Sequence, residues 1–400
     1  MSVWRRVSGP IPTKRGDEMS AGPRILIAGG GLGGLALAQA LRQGGLDVAV
    51  YERDPTPEIR NQGYRIHINP DGNAALRACL PPDVFDLVLR TSGVTNDLVA
   101  SYTHRLERVM AQTFPADPDE ITHVDRNTFR RGLLSGLGDA VHFGRTVAGY
   151  QVTESGRVRV RFAEGGSDEG DLLVGADGVG SAVRRGLLPH ATVKDLGLRC
   201  LYGRMAIDEV TGALMPEDFD RGFCWVADET GCGAAFGPMR FRSRPEDASD
   251  YLMTTLVATP ERLGITDEEL FGLSPKELRK LSVELTADWH PAVRELFLHA
   301  DADAFLPIAI RAGERVEAWR PGPVTLLGDA VHLMPPTGGV GANTALQDSA
   351  ALAGELLSAA RGERSLVDAV AAYERVMLPR GFDTVDHSLR IAGQMFGRTF

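Results

Sequence analysis

The residues whose types and spacing can do chemistry begin with glycines. In Arg24-Ile-Leu-Ile-Ala-Gly-Gly-Gly-Leu-Gly-Gly34, Gly29, Gly31 and Gly34 keep the order G-x-G-x-x-G. The first glycine lets a chain turn tightly out of a strand. The second lets backbone approach a pyrophosphate with no Cβ in the way, and the third lets a helix lie close on the strand. The N-terminus of that helix offers N–H groups and a partial positive charge to phosphates. Glu52 closes the apolar run Asp47-Val-Ala-Val-Tyr51, about 20 residues past the glycines, where a ribose-binding acid belongs. A carboxylate there accepts from the ribose hydroxyls and repels a 2′-phosphate, which favours FAD or NAD over NADP in this loop. Arg53 follows it, with a guanidinium fork suited to phosphate.

Those residues need a strand, a helix and a second parallel strand to hold them. The run before Gly29, the Ala/Leu stretch Leu35–Leu41 and the run to Tyr51 predict that βαβ unit. Two later buried runs end alike. Asp171-Leu-Leu-Val-Gly-Ala176 runs into Asp177-Gly178, and Pro323-Val-Thr-Leu-Leu327 into Gly328-Asp329. Between them, residues 196–315 change character. Alternation in Leu201–Ile207, Gly222–Val226 and Gly233–Met239 predicts an antiparallel sheet, with helices near 246–258, 275–287 and 291–299. Earlier, Tyr64–Ile68 reads as a strand, Asn69-Pro-Asp-Gly72 as a turn, and residues 97–115 as a hairpin. The stretch Asn127–Leu137 has helical spacing, and helices near 342–360 and 366–391 close the chain.

Three separated motifs now carry a resemblance. The glycine fingerprint with Glu52, Leu173-Val-Gly-Ala-Asp-Gly-Val-Gly-Ser-Ala-Val-Arg184, and Leu327-Gly-Asp-Ala-Val-His-Leu-Met-Pro-Pro-Thr-Gly-Gly-Val-Gly-Ala-Asn343 stand in this order. Together they resemble the para-hydroxybenzoate-hydroxylase-like family of single-component, FAD-dependent aromatic monooxygenases, from Arg24 to about Arg380. The resemblance implies that Asp329 accepts from a ribityl hydroxyl and that Gly341, Ala342 and Asn343 turn N–H groups to the flavin's pyrimidine edge. Val340 stands where the family commonly has Gln, which leaves a backbone role intact. The resemblance also ties Asp177 to FAD and pyridine nucleotide, and Arg126 to the flavin cofactor. Each has a plainer reading beside it: Asp177 or Ser181 as a helix N-cap, Arg126 as a solvated arginine at a helix start. Arg60, just before Gly63, stands where some relatives have an arginine linked to NADPH.

The implied fold class is α/β, with α+β in the second domain: a Rossmann-like FAD-binding domain with an inserted antiparallel-sheet substrate domain. The expected boundaries are 23–195 and 316–400 for the first, discontinuous domain and 196–315 for the second. Part of 64–115 contributes to the substrate side, and 1–22 is a disordered extension with Met19 as a natural start. Composition fits a soluble globular protein of this size: 43% hydrophobic and 24% charged. The formal net charge of −10 argues against nucleic acid or an acidic membrane surface as partner. No apolar stretch reaches the roughly 20 residues of a membrane span. Cys79, Cys200, Cys224 and Cys232 show no C-x-x-C spacing, so buried reduced thiols in a cytoplasmic protein are expected, with no metal site.

One dinucleotide fingerprint without a redox C-x-x-x-x-C speaks against a flavoprotein disulfide reductase, and the isolated tryptophans Trp4, Trp225, Trp289 and Trp319 speak against a flavin halogenase. The resemblance implies a monooxygenase that consumes NADPH or NADH and dioxygen and hydroxylates a phenolic or polycyclic aromatic substrate through a C4a-hydroperoxyflavin. A reductase or oxidase of the same fold and a non-catalytic flavin-binding module are the alternatives. As a catalyst the chain would act as monomer or homodimer. Candidates for the substrate pocket are His67, Tyr202, Arg204, Trp225, His332 and Pro335. No catalytic side chain is singled out, because in this chemistry the cofactor carries the hard step.

Overall fold

In the computed structural model, residues 22–57, 64–95, 97–115 and 117–400 are described. Arg60, Gly63 and the 1–21 part of the N-terminal extension lie outside them. The run Ile25-Leu26-Ile27 has no exposed surface and forms the middle strand of a five-stranded parallel sheet. Its order is Val324–Leu326, Leu172–Gly175, Arg24–Ala28, Asp47–Glu52, Val141–Phe143. Continuous apolar runs suit such strands because both faces are covered. The order has a consequence for chemistry. The central strand is the first in sequence among the described residues, its Glu52 neighbour lies on one side, and the strands leading to Asp177 and Asp329 lie on the other. Being parallel, all end on the same edge, where such sheets form their ligand crevice.

Helix Leu32–Gln43 follows the glycines, and helix Gly341–Ala360 runs beside it. The two lie close because their contact residues are small. A Cβ on Gly33 would stand 2.7 Å from Leu327 Cδ1 and 3.4 Å from Ala345 Cβ. Ser349 Oγ donates to Gly33 O at 2.8 Å.

The second sheet has seven strands, in the order Leu306–Gly313, Val193–Ala206, Tyr251–Ala258, Cys232–Met239, Gly222–Ala227, Leu98–Thr103, Arg108–Thr113. The expected helix near 246–258 is in its last part the strand Tyr251–Ala258. That strand is buried at every position, so its sequence lacks the alternation that marks a strand. The hairpin within 97–115 forms and joins this sheet. It does so through a parallel pairing of Leu98–Thr103 with Gly222–Ala227, so the sheet is mixed rather than purely antiparallel. One face packs on helices Pro275–Leu285 and Pro291–Leu298 around Phe219, Phe236 and Phe297. The other carries a separate small apolar patch of Ala235, Met239, Phe241, Tyr251 and Met253.

Asn69-Pro-Asp-Gly72, expected as a turn, starts a helix instead. Asn69 caps Pro70–Cys79 by accepting from Gly72 N at 2.8 Å, with Pro70 in the first turn. Helix Leu366–Phe396 closes the fold. All four cysteines are buried and unpaired. Among the described residues, no helix is long and apolar enough to cross a membrane.

Candidate active site

The glycine loop does at the atomic level what its spacing requires. Gly29 has φ +106°, and a Cβ there would stand 2.2 Å from Ala176 O. A Cβ on Gly34 would stand 2.2 Å from Gly29 O. Both positions are closed by the protein itself. Gly31 differs: a Cβ there meets no protein atom within 4 Å. Helix Leu32–Gln43 starts at this point with no side-chain cap and no acid in its first turn. Its leading N–H groups therefore lack the partners that Asn69, Asp125 and Ser181 give other helices.

Glu52 is 3% exposed at the end of its strand. Oε2 accepts from Gly30 N at 2.9 Å and Oε1 from Asp54 N at 2.9 Å. The carboxylate is thus oriented by backbone at both oxygens. Arg130 completes the setting, a residue the sequence reading passed over. It is 3% exposed; its Nε donates to Gly30 O at 2.9 Å, and its Nη2 lies 3.4 Å from Glu52 Oε2. One arginine ties the acid to the loop. The only signal for it was its place four residues after Arg126, on the same helix face. Arg53 is exposed.

Asp177 makes the capping contacts. It accepts from Ser181 Oγ, from Ala182 N at 2.7 Å and from Val183 N at 3.2 Å, and Ser181 accepts from Arg184 N at 2.8 Å. Its Cα also lies 2.9 Å from where a Gly29 Cβ would be, so the capped turn and the glycine loop touch.

Asp329 sits in the 3-10 turn Gly328–Ala330. Its side chain is exposed to solvent at the strand-end edge of the parallel sheet. Desolvation by nearby protein pushes its carboxyl above the usual range, against the pull of His332 and Arg126. Arg126 approaches from helix Arg126–Leu134. Its guanidinium lies 5.4 Å over the Tyr64 ring, and its Nη1 is buried with no hydrogen-bond partner. A buried guanidinium nitrogen without an acceptor is costly, and a bound polar group beside it removes the cost.

Gly341 and Ala342 open helix Gly341–Ala360, which again has no side-chain cap and no acid in its first turn. Asn343 is fully buried, and its side chain is used by the protein. Oδ1 accepts from Asn69 N at 3.0 Å, while Nδ2 donates to His67 O at 2.9 Å and Gly339 O at 3.2 Å. It pins the preceding loop, leaving backbone rather than amide for a ligand. Pro335 is buried where that loop enters the turn Pro336–Gly338.

The substrate candidates divide. Cross-strand register places Tyr202 opposite Thr255, Thr255 opposite Ala235, and Ala235 opposite Trp225. One row therefore has aromatic ends and small residues between, on the face bearing the separate apolar patch. Tyr202 packs on Tyr64 at 5.0 Å, and Tyr64 in turn lies under Arg126, so the row connects to the first sheet. Tyr202 Oη and Thr255 Oγ1 are buried with at most each other as partners. Arg204 lies in the neighbouring row, 5.8 Å over the Tyr251 ring. His67 borders the Gly338–Gly339 loop, its Nδ1 3.0 Å from Thr122 O; burial and then Arg65 hold its pKa below the usual range. His332 is not a pocket residue. It is fully buried, with Nε2 2.6 Å from Asp348 Oδ2.

The residues fit a long dinucleotide: an open cradle at Gly31, two uncapped helix starts, a buried guanidinium nitrogen without a partner and an exposed carboxylate at the strand-end edge. Known proteins agree. The FAD binding domain family matches residues 86–388, and an NAD(P)-binding Rossmann-like domain matches residues 27–78. The dual O-methyltransferase/FAD-dependent monooxygenase of Cercospora beticola is 32% identical over 94% of this chain and 46% of its own length. The chain thus spans about half the length of that relative. The 6-hydroxynicotinate 3-monooxygenase of Pseudomonas fluorescens is 30% identical, over 84% of this chain and 83% of its own. Among solved structures, an FAD-containing monooxygenase from Photorhabdus luminescens superposes with a TM-score of 0.83 at 29% identity, over 94% of this chain and 98% of the other. HpxO of Klebsiella pneumoniae, crystallised with FAD and uric acid, superposes with 0.76 at 26% identity, over 94% and 89%. The chain belongs to the FAD-binding family of FAD-dependent monooxygenases.

Proposed function

We propose that this protein hydroxylates an aromatic ring, using FAD held along the strand ends and NADPH or NADH as reductant. In this reading Gly29, Gly31 and Gly34 surround the pyrophosphate, and Glu52, oriented by Arg130, accepts from the adenosine ribose. Asp329 accepts from the ribityl chain, Arg126 reaches the same ligand, and Asp177 joins its capping role to the loop's rim. The N–H groups of Gly341–Asn343 stabilise negative charge placed beside them. FAD, when bound, would supply the redox chemistry between NAD(P)H and dioxygen. Atoms balance as ring C–H, O2, NAD(P)H and a proton going to ring C–OH, NAD(P)+ and water. The chain's own tasks are to hold the ring, exclude water and orient the carbon attacked.

The observation that carries the substrate class is the row Tyr202–Thr255–Ala235–Trp225. Two aromatic side chains flanking small residues suit a flat ring, and ring–ring contact adds about 1 kcal/mol beyond burial. The buried hydroxyls of Tyr202 and Thr255, which have at most each other as partners, suit a substrate oxygen. Relatives support this reading by their names: one acts on 6-hydroxynicotinate, and the Cercospora protein joins monooxygenation to O-methyl transfer, which needs a hydroxyl. The test is NAD(P)H consumption by the purified yellow protein, with a panel of phenols and hydroxylated heterocycles, under labelled dioxygen. One labelled atom in the product supports the proposal. Turnover with no label in any product would instead point to a reductase or oxidase. A flavin that neither NADPH nor NADH reduces would point to a non-catalytic module.

A further inference from the structure

Asp348 lies inside helix Gly341–Ala360 with no exposed surface. Its carboxylate takes donors from three places. Oδ2 accepts from Gly328 N at 2.9 Å and from His332 Nε2 at 2.6 Å, and Oδ1 accepts from Arg380 Nη2 at 2.8 Å. A carboxylate taken wholly out of water costs several kcal/mol unless it is paired and bonded throughout. An apolar residue would fill the space without that cost, so this arrangement calls for another reason.

The reason lies in what the donors are attached to. Gly328 and His332 bracket the segment that carries Asp329, and His332 N donates back to Gly328 O at 3.0 Å. Gly328 has φ +61°, a conformation that needs holding. One carboxylate oxygen grips both ends of this segment. The His332 ring cannot swing away, because Gly381 lies against it: a Cβ there would stand 2.4 Å from His332 Cδ2. His332 Nδ1 is buried without a partner, so Nε2 is the nitrogen that bonds. Burial opposes a charged imidazole, but the charge and hydrogen bond of Asp348, together with the charge of Asp329, raise the His332 pKa.

We infer that Asp348 is a positioning residue for the cofactor site: with His332 and Arg380 it locks the Gly328–His332 segment, so that Asp329 is held at the strand-end edge. The inference rests on the reading of Asp329 as a ligand to the cofactor. Its test compares wild type with D348N, H332L, H332Q and D329A as purified holoproteins. The readouts are the FAD dissociation constant from flavin fluorescence on dilution, the visible absorption of the bound flavin, and the unfolding midpoint in excess FAD. D348N and H332L should bind FAD about tenfold more weakly, or worse, and alter the flavin spectrum, and their unfolding midpoints should fall because a buried charged group loses its partner. H332Q, which keeps a donor near the position of Nε2, should recover most of the affinity and the spectrum. Wild-type affinity and spectrum in D348N would overturn the inference, as would an H332Q no better than H332L. If D348N does not fold, the H332L and H332Q pair decides alone. A weakened D329A beside an unchanged D348N would sink the positioning role only, whereas an unchanged D329A would sink the reading of Asp329 itself.

Discussion

At the edge of the parallel sheet the site is made of backbone. It consists of a positive φ at Gly29, a gap beside Gly31, two helix starts without caps, and acids at strand ends. On the seven-stranded sheet the proposed substrate site is made of register. Tyr202, Thr255, Ala235 and Trp225 meet only because three pairings align them. The first kind of site tolerates few residue types at each position, since a Cβ or a lost carboxylate removes it. The second tolerates many, since any residue of suitable size can occupy a row. A fold that binds one cofactor and varies its substrates divides its constraints in this way.

The sharpest break of that comparison is at Gly34. A Cβ there would lie 2.2 Å from Gly29 O, so G34A should lower stability by about 3 kcal/mol or prevent folding. Soluble yield and the unfolding midpoint check it, and a stable, flavin-loaded G34A would refute the close-packing role. Gly31 should behave oppositely. Its Cβ meets no protein atom, so G31A should keep the unfolding midpoint of the flavin-free protein. Its FAD affinity should fall roughly 100-fold, about 2.7 kcal/mol. Unfolding scans with and without FAD separate the two variants. Normal FAD binding by G31A would mean that the gap is not where the ligand lies.

On the other sheet, Ala235→Phe fills the middle of the row. It should lower kcat/KM for the proposed aromatic substrate roughly 30-fold, about 2 kcal/mol, with FAD content unchanged. Full hydroxylation by A235F would move the substrate off this row. A fall in both activity and bound flavin would mean that the two sites are not separable as the comparison holds.

How much was legible follows the same division. Glu52 stands out by its place at a strand end about 20 residues past the glycines, and Asp177 and Asp329 because an apolar run ending in a carboxylate beside glycine is a local pattern. Arg130 could not, because its partners Gly30 and Glu52 are far away in sequence and nothing nearby separates it from a surface arginine. Asp348 could not be read either: in sequence it is one polar residue within the helix near 342–360, and its importance lies in Gly328, His332 and Arg380, which tertiary packing brings to it. The strand Tyr251–Ala258 was mistaken for helix because burial on both faces erases alternation. Asn69-Pro-Asp-Gly72 carries residues that serve turns and helix starts equally, and the chain beyond Gly72 decided between them.

The smallest expected effect concerns neither site directly and therefore tests whether the halves are independent. Glu374, on helix Leu366–Phe396, is 4% exposed, and its Oε1 accepts from Trp319 Nε1 at 3.0 Å and Thr325 Oγ1 at 2.8 Å. Burial raises its pKa to about 7, against the opposing effect of those two donors. The folded protein then holds a proton that the unfolded chain has lost. The stability this gives is complete below the ordinary carboxyl range and declines as pH rises through about 7. Between pH 6 and 8 the loss from this group is about 1 kcal/mol. E374Q cannot titrate, so its stability should stay flatter across that interval, while at pH 5 it should match wild type. Thr325 belongs to the strand that leads to Asp329. If the edge of the parallel sheet is as rigid as its backbone constraints imply, FAD affinity should change little over this pH interval while the unfolding midpoint falls. Chemical denaturation at pH 5, 6 and 8, paired with FAD titrations at each, decides it. Parallel losses in wild type that vanish in E374Q would show that the cofactor edge yields to a group buried behind it.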